Sequence, residues 1–226
     1  VPYALRSLQK FVTGTRDVII SVPEEDLPKF KTLNLVKERL VKSMARLPHG
    51  QGYCEQQLDK LMADLYSDAD HILFWDSDCI AIRPLKPDDL IIDGAPRCLI
   101  THYSKLVNSD GSPAVPWKAV VEKALGHPCE YEAMRQHPFL VPRRVLIEFR
   151  EYMLSLHGIP LEMYIAETKG AFSEFNCLHC FALSHTPLVF TWMNTDNGVP
   201  KPFVKQFWSY SGLTQDERRQ IEEILK

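Results

Sequence analysis

Residues 52–85 read GYCEQQLDKLMADLYSDADHILFWDSDCIAIRPL, and three changes of pattern within them decide the fold. Over residues 53–66 the apolar positions Leu58, Leu61, Met62 and Leu65 recur at helical spacing with polar residues opposite, which predicts an amphipathic helix. Polar residues 67–70 end it. Residues 71–75 (HILFW) form a short uninterrupted apolar run, as expected of a strand buried on both faces of a mainly parallel sheet. Asp76, Ser77 and Asp78 follow at once, and apolar character resumes over residues 79–82 until Pro84 breaks it. Two aspartates therefore stand at the carboxyl end of a strand, where open α/β sheets bind ligands.

Helix and strand alternate on either side of this block. Upstream, Leu5, Leu8, Phe11 and Val12 give a helix over residues 3–11, and DVIISV (17–22) a buried strand. Downstream, 96–103 reads as a strand, 117–125 as a helix, and 143–156 as a long amphipathic helix entered through Pro142. Residues 161–168 and 174–184 read as helices and 188–192 (LVFTW) as a strand. Residues 214–225 read as a closing helix in which Thr214 and Glu217 form a capping box. Segment 194–202, with Gly198, Pro200 and Pro202, is expected to be mobile. The pattern predicts one α/β domain over 1–226, a mainly parallel central sheet flanked by helices.

The 226 residues are 45% hydrophobic, enough to bury a substantial core. A formal charge of -3 argues against a surface that clings everywhere to phosphate backbones, so a nucleic-acid partner has to be argued from local patches. No run approaches the roughly 20 apolar residues of a membrane span, which predicts a soluble, cytoplasmic protein. The six cysteines are scattered and expected to be free thiols. Cys177 and Cys180 have the spacing of a zinc half-site, yet no second closely spaced pair completes it.

Two carboxylates one residue apart suit a hard divalent cation. Mg2+ or Mn2+ takes one or two carboxylates and shares its other positions with water and phosphate oxygens, so a cation held here would grip a diphosphate. Asp78 is the expected direct ligand, with Asp76 reaching the metal through water or contacting a ribose.

Residues 52–85 resemble the central block of GT-A glycosyltransferases, in which a Gln-rich helix precedes a strand, an Asp-x-Asp motif and an Arg-Pro turn. ALRSLQKFV (4–12) is similar to the first helix of that fold, and SEFN (173–176) to its Ser-Glu acceptor-side motif. Within the fold the pattern is most similar to the TET-associated glycosyltransferases of phage, which glycosylate 5-hydroxymethylpyrimidines in DNA. The resemblance implies a nucleotide-sugar and metal-binding part over 1–114, an acceptor-side part over 115–226, and a UDP-sugar donor with UDP-glucose favoured. It also implies a strand ahead of the first helix, which either precedes residue 1 or places the match in another register. Many members supply a late histidine as a third metal ligand; residues 207–212 (FWSYSG) hold none, leaving His185 or His179.

Under this resemblance Glu174 is the candidate base for the acceptor hydroxyl, with Asp78 beside the leaving group. Arg6, Gln56, Gln57, Lys60, Asp76, Ser77, Trp208 and Ser209 are expected to face the donor. Arg135, His137, Arg143 and Arg144, with Ser173 and Asn176, are expected on the acceptor side, where 5-hydroxymethylcytosine in DNA is the favoured acceptor. Two alternatives stand beside it: an enzyme of surface polysaccharide or lipopolysaccharide synthesis, and a nucleotide- or nucleic-acid-binding module that keeps the fold without turnover.

Overall fold

Short strands and longer helices alternate along the computed structural model, which describes residues 1–31, 38–47, 52–208 and 212–226. In chain order these are α1 (Pro2–Phe11), β1 (Val18–Val22), α2 (Leu27–Phe30), β2 (Glu38–Lys42), α3 (Gly52–Leu61), β3 (His71–Phe74), β4 (Cys79–Ala81), β5 (Ile91–Ile92) and β6 (Ala95–His102). There follow α4 (Lys118–Leu125), β7 (Tyr131–Glu132), β8 (Phe139–Pro142), α5 (Arg143–His157), α6 (Leu161–Glu167), α7 (Glu174–His185), β9 (Thr191–Asn194), β10 (Val204–Gln206) and α8 (Gln215–Leu225). The architecture is mixed α/β. Among the described residues no helix is long and apolar enough to cross a membrane.

The strands corrected the expectation of a mainly parallel central sheet. Only β1 with β2, and β6 with β9, run parallel among the described residues. The others are antiparallel: β3 with β8, β4 with β10, and β6 with both β5 and β7. The expected doubly buried strand is also not the one after the helix. β3 is exposed at His71 and buried only at Phe74, whereas every residue of its partner β8 is buried. An uninterrupted apolar run fixes neither strand direction nor burial on both faces.

Large aliphatic and aromatic side chains fill the main core between this ladder and the helices. Leu58 and Leu61 of α3, Val141 of β8, Phe149 of α5 and Phe175 of α7 belong to one cluster, each of them almost fully buried. Side chains of this size each contribute about 1.5–3 kcal/mol on burial. The division at residue 114 expected from the sequence therefore runs through a shared core. A buried ion pair pins α5 to the turn after α3: Arg150 Nη1 and Nη2 meet Asp64 Oδ1 and Oδ2 at 2.5 and 2.7 Å. α4 and α5 both stop at a left-handed glycine, Gly126 and Gly158, each with φ +69.

α7 is the innermost helix, buried from Glu174 to Ala182. Its His179 is fully enclosed, with Nδ1 at 2.8 Å from the Ala133 carbonyl, and burial lowers its pKa to about 4. A histidine whose pKa is depressed by folding stabilises the protein fully above its unfolded value near 6.5, and that contribution is lost as pH falls toward 4. We expect the urea midpoint to drop over that interval by the equivalent of roughly 3 kcal/mol. His179→Asn, which keeps a donor at the Nδ1 position, should remove that part of the acid sensitivity; an unchanged pH slope would exclude His179 as its source.

Candidate functional site

The acidic triplet forms the tight turn between β3 and β4, closed by the Cys79 amide donating to the Asp76 carbonyl at 3.0 Å. The Trp75 indole N–H donates across it to the Cys79 carbonyl at 2.9 Å. This turn points the two aspartates to different neighbours. Asp76 faces the start of α7, while Asp78 faces β10 and the N-terminal end of α1.

At Asp76 three chain segments converge. Lys60, in the last turn of α3, lies 2.6 Å from Asp76 Oδ1 and 2.9 Å from Glu174 Oε1. His137 Nε2 lies 3.5 Å from Asp76 Oδ2. The lysine side chain is only 17% exposed and that of Glu174 8%, so one buried ammonium serves two carboxylates. Burial disfavours the charged amine, but Glu174 and Asp76 outweigh it and hold the Lys60 pKa above its ordinary value. Burial also pushes His137 below the usual imidazole range, only partly offset by Asp76, so the ring is neutral at pH 7.

Gln57 completes the centre from α3. Its Oε1 accepts the backbone N–H of Glu174 at 3.0 Å, capping a helix whose N-cap residue, Ser173, makes no side-chain cap. Two buried polar atoms here, Gln57 Nε2 and His137 Nδ1, have no partner among the described residues. Unsatisfied groups in such a place are fit to receive a water or the hydroxyl of a ligand.

Asp78 has a looser environment. Gln206 Nε2 of β10 approaches its two oxygens at 3.4 and 3.2 Å, and its carbonyl accepts the Phe207 amide at 2.9 Å. A cavity of about 80 Å³ opens beside it, lined by Tyr3, Ser77, Asp78, Phe207, Leu213 and Ile221 among others. Trp208, 61% exposed, follows directly after Phe207. Ser209 lies outside the described residues.

Several expected site residues are placed elsewhere. Arg6 pairs with Glu222 of α8 at 2.9 Å, and Gln56 is exposed on α3 while its neighbour Gln57 turns inward. His185 ends α7, at the opposite end from Glu174, with Nδ1 at 3.1 Å from the Phe181 carbonyl and its ring against Tyr152 and Phe181. A helix of this length separates the two by roughly 16 Å along its axis, too far for His185 to share a cation with the triplet. Among the described residues no three His, Cys, Asp or Glu side chains gather as metal ligands.

Ser173 and Asn176 are buried and used internally. Asn176 Oδ1 accepts the Ala133 amide at 2.8 Å, and its Nδ2 donates to Ser173 Oγ at 3.1 Å. The basic residues expected to act together divide along the β3/β8 ladder, which pairs Phe74 with Phe139 and His71 with Pro142. His137 precedes β8 at the Asp76 end. Arg143 and Arg144 follow it at the far end, bordering a separate cavity of about 390 Å³ with Asp70, His71 and Leu188. Arg135 pairs with Glu132 at 3.0 Å. Segment 194–202, expected to be mobile, is tied down: Arg83 donates to the Lys201 and Pro202 carbonyls at 2.8 and 3.0 Å, and Gln136 to that of Pro200 at 3.1 Å.

No curated protein matches the chain. Residues 4–110, which carry Gln57, Lys60, Asp76 and Asp78 and leave His137 and Glu174 beyond them, match a family of unknown function (DUF6492).

Proposed function

We propose that the chain is a metal-dependent glycosyltransferase of GT-A type that moves a hexose, glucose from UDP-glucose, onto an acceptor hydroxyl. The observation that carries this reading is the meeting of Asp76 and Glu174 across one buried lysine, two segments that stand 114 positions apart at Lys60 and Glu174. A donor-side carboxylate and an acceptor-side carboxylate in one centre are what a transfer between two bound substrates requires. The GT-A assignment itself rests on the resemblance of residues 52–85, to which the mixed α/β architecture adds only general support.

Asp78 fits a hard cation as one carboxylate beside a cavity, while Asp76, turned toward Lys60 and His137, would reach the same cation through water. Mn2+ or Mg2+ commonly takes one or two protein carboxylates and completes its shell from water and substrate phosphate, so a third protein ligand is not demanded. When bound, the cation would supply Lewis-acid stabilisation of charge on a leaving diphosphate.

The other roles belong to the chain. Glu174 receives the proton of the acceptor hydroxyl, held in place by Lys60 at its carboxylate and by Gln57 at its amide. Neutral His137 and the Gln57 amide nitrogen offer an acceptor and a donor to that hydroxyl. Trp208, exposed and next in the chain to Phe207, would flank the donor.

The acceptor carried over from the resemblance is 5-hydroxymethylcytosine in DNA. Incubation with Mn2+ and labelled UDP-glucose should put label into hydroxymethylated DNA and not into cytosine DNA of the same sequence. Equal, background labelling of both DNAs with transfer to an oligosaccharide would move the proposal to a surface-polysaccharide enzyme. Absence of both transfer and donor hydrolysis would leave a binding module without turnover.

A further inference from the structure

Cys129, in the loop between α4 and β7, and Cys180, midway along α7, bring their sulfur atoms to 2.7 Å as free thiols. Two thiolates on one tetrahedral zinc, with Zn–S near 2.3 Å, stand about 3.7 Å apart, so the pair Cys129 and Cys180 is too close together to share one. It is within one short side-chain adjustment of the roughly 2.05 Å of an S–S bond.

The backbone around the pair is already strapped together. Ala133 donates to Asn176 and lies against His179 Nδ1, both on α7 and both at 2.8 Å, and the Tyr131 carbonyl is 3.2 and 3.3 Å from the two sulfurs. The Cys129 amide is held by Glu122 Oε1 at 3.1 Å.

We propose that Cys129 and Cys180 form a redox-modifiable site, which closes to an intramolecular disulfide on meeting a low-molecular-weight disulfide such as oxidised glutathione. Cys129 is the entry point. Both thiols are buried, Cys129 5% and Cys180 2% exposed, but Cys129 lies in a loop between the exposed Pro128 and Glu130, so local opening of that loop admits the oxidant. Contact with the Cys180 thiol holds the Cys129 pKa below the ordinary thiol value while that of Cys180 is raised. The Cys129 thiolate attacks one glutathione sulfur and expels a glutathione thiolate, which takes up a proton. Cys180, giving up its own proton, then attacks the Cys129 sulfur and expels the second glutathione. The protein loses two protons and two electrons, and one glutathione disulfide becomes two glutathione thiols.

The test uses the full chain, equilibrated with oxidised or reduced glutathione, alkylated and mapped by peptide mass spectrometry. One cross-link joining the peptides of Cys129 and Cys180, reversed by dithiothreitol, is expected, with the other four cysteines alkylated. The melting temperature of the oxidised form should exceed that of the reduced form by about 5–10 °C, because a bridge over some fifty residues constrains the unfolded chain. Cys180→Ala should abolish both the link and the shift, and if that variant does not fold the wild-type peptide map decides alone. Full alkylation of both thiols after oxidation, a stable glutathione adduct on Cys129, or a link to Cys98 or Cys177 would overturn the proposal. None of these outcomes depends on sugar transfer.

Discussion

Replacing Asp78 by alanine is expected to slow sugar transfer about 100- to 1000-fold, the range seen when one group that stabilises developing charge is removed from an active site. The same change should leave the protein folded. The Asp78 side chain accepts from Gln206, at 3.2 and 3.4 Å, and lies half-buried against a small cavity. Loss of such a contact costs about 1 kcal/mol or less. Activity and stability thus separate cleanly: kcat for transfer, or for slow hydrolysis of UDP-glucose in Mn2+, falls steeply while the urea midpoint barely moves. A folded Asp78→Ala protein with wild-type turnover would remove the triplet from the reaction.

Lys60→Met is expected to do the reverse and damage the fold first. Methionine matches the volume of the lysine stem, and the loss is the ammonium that lies 2.6 Å from Asp76 and 2.9 Å from Glu174. The Glu174 side chain, 8% exposed, is then left as a buried charge beside a second carboxylate. Removing one partner of a buried ion pair costs about 3–5 kcal/mol, most of it the charge left behind. Chemical denaturation at pH 7 reads this directly. The triple variant with Asp76→Asn and Glu174→Gln should recover most of the stability, since the charges that needed compensation are gone. A loss below about 1 kcal/mol in the single variant would mean that water, not Lys60, screens the two acids.

Several helices could be read from the sequence because they show one apolar stripe over two or more turns or a clear cap: α5 was expected over 143–156 and spans Arg143–His157, and the Thr214 and Glu217 box opens α8 as expected. The strands were less legible. β2 and β10 are three to five residues long with lysines among them, too short and polar to show a period. β8 was hidden in the approach to Pro142, and with it the antiparallel partner of β3. Segment 188–192 split, its first residues forming a turn at Pro187–Val189 and only Thr191–Asn194 a strand.

The centre divides in the same way. Asp76, Asp78, Lys60, Gln57 and Glu174 were singled out from local pattern and resemblance, but the pairing of Lys60 with both acids rests on a contact over 114 positions that no local spacing encodes. His137 was expected on the acceptor side, and its place beside Asp76, where burial lowers its pKa, was not legible in the sequence. Gln206 was missed because a lone glutamine in a three-residue strand carries no signal until β4 and β10 are known to pair.

The cap that Gln57 places on α7 gives this centre a built-in reporter. Because the Glu174 N–H donates to a side chain from a distant part of the chain, its hydrogen–deuterium exchange measures how often α3 and α7 part, without any substrate present. Slow exchange at this one amide would mark the two halves as breathing together, and faster exchange in Gln57→Ala than at neighbouring amides would date the first event of their separation.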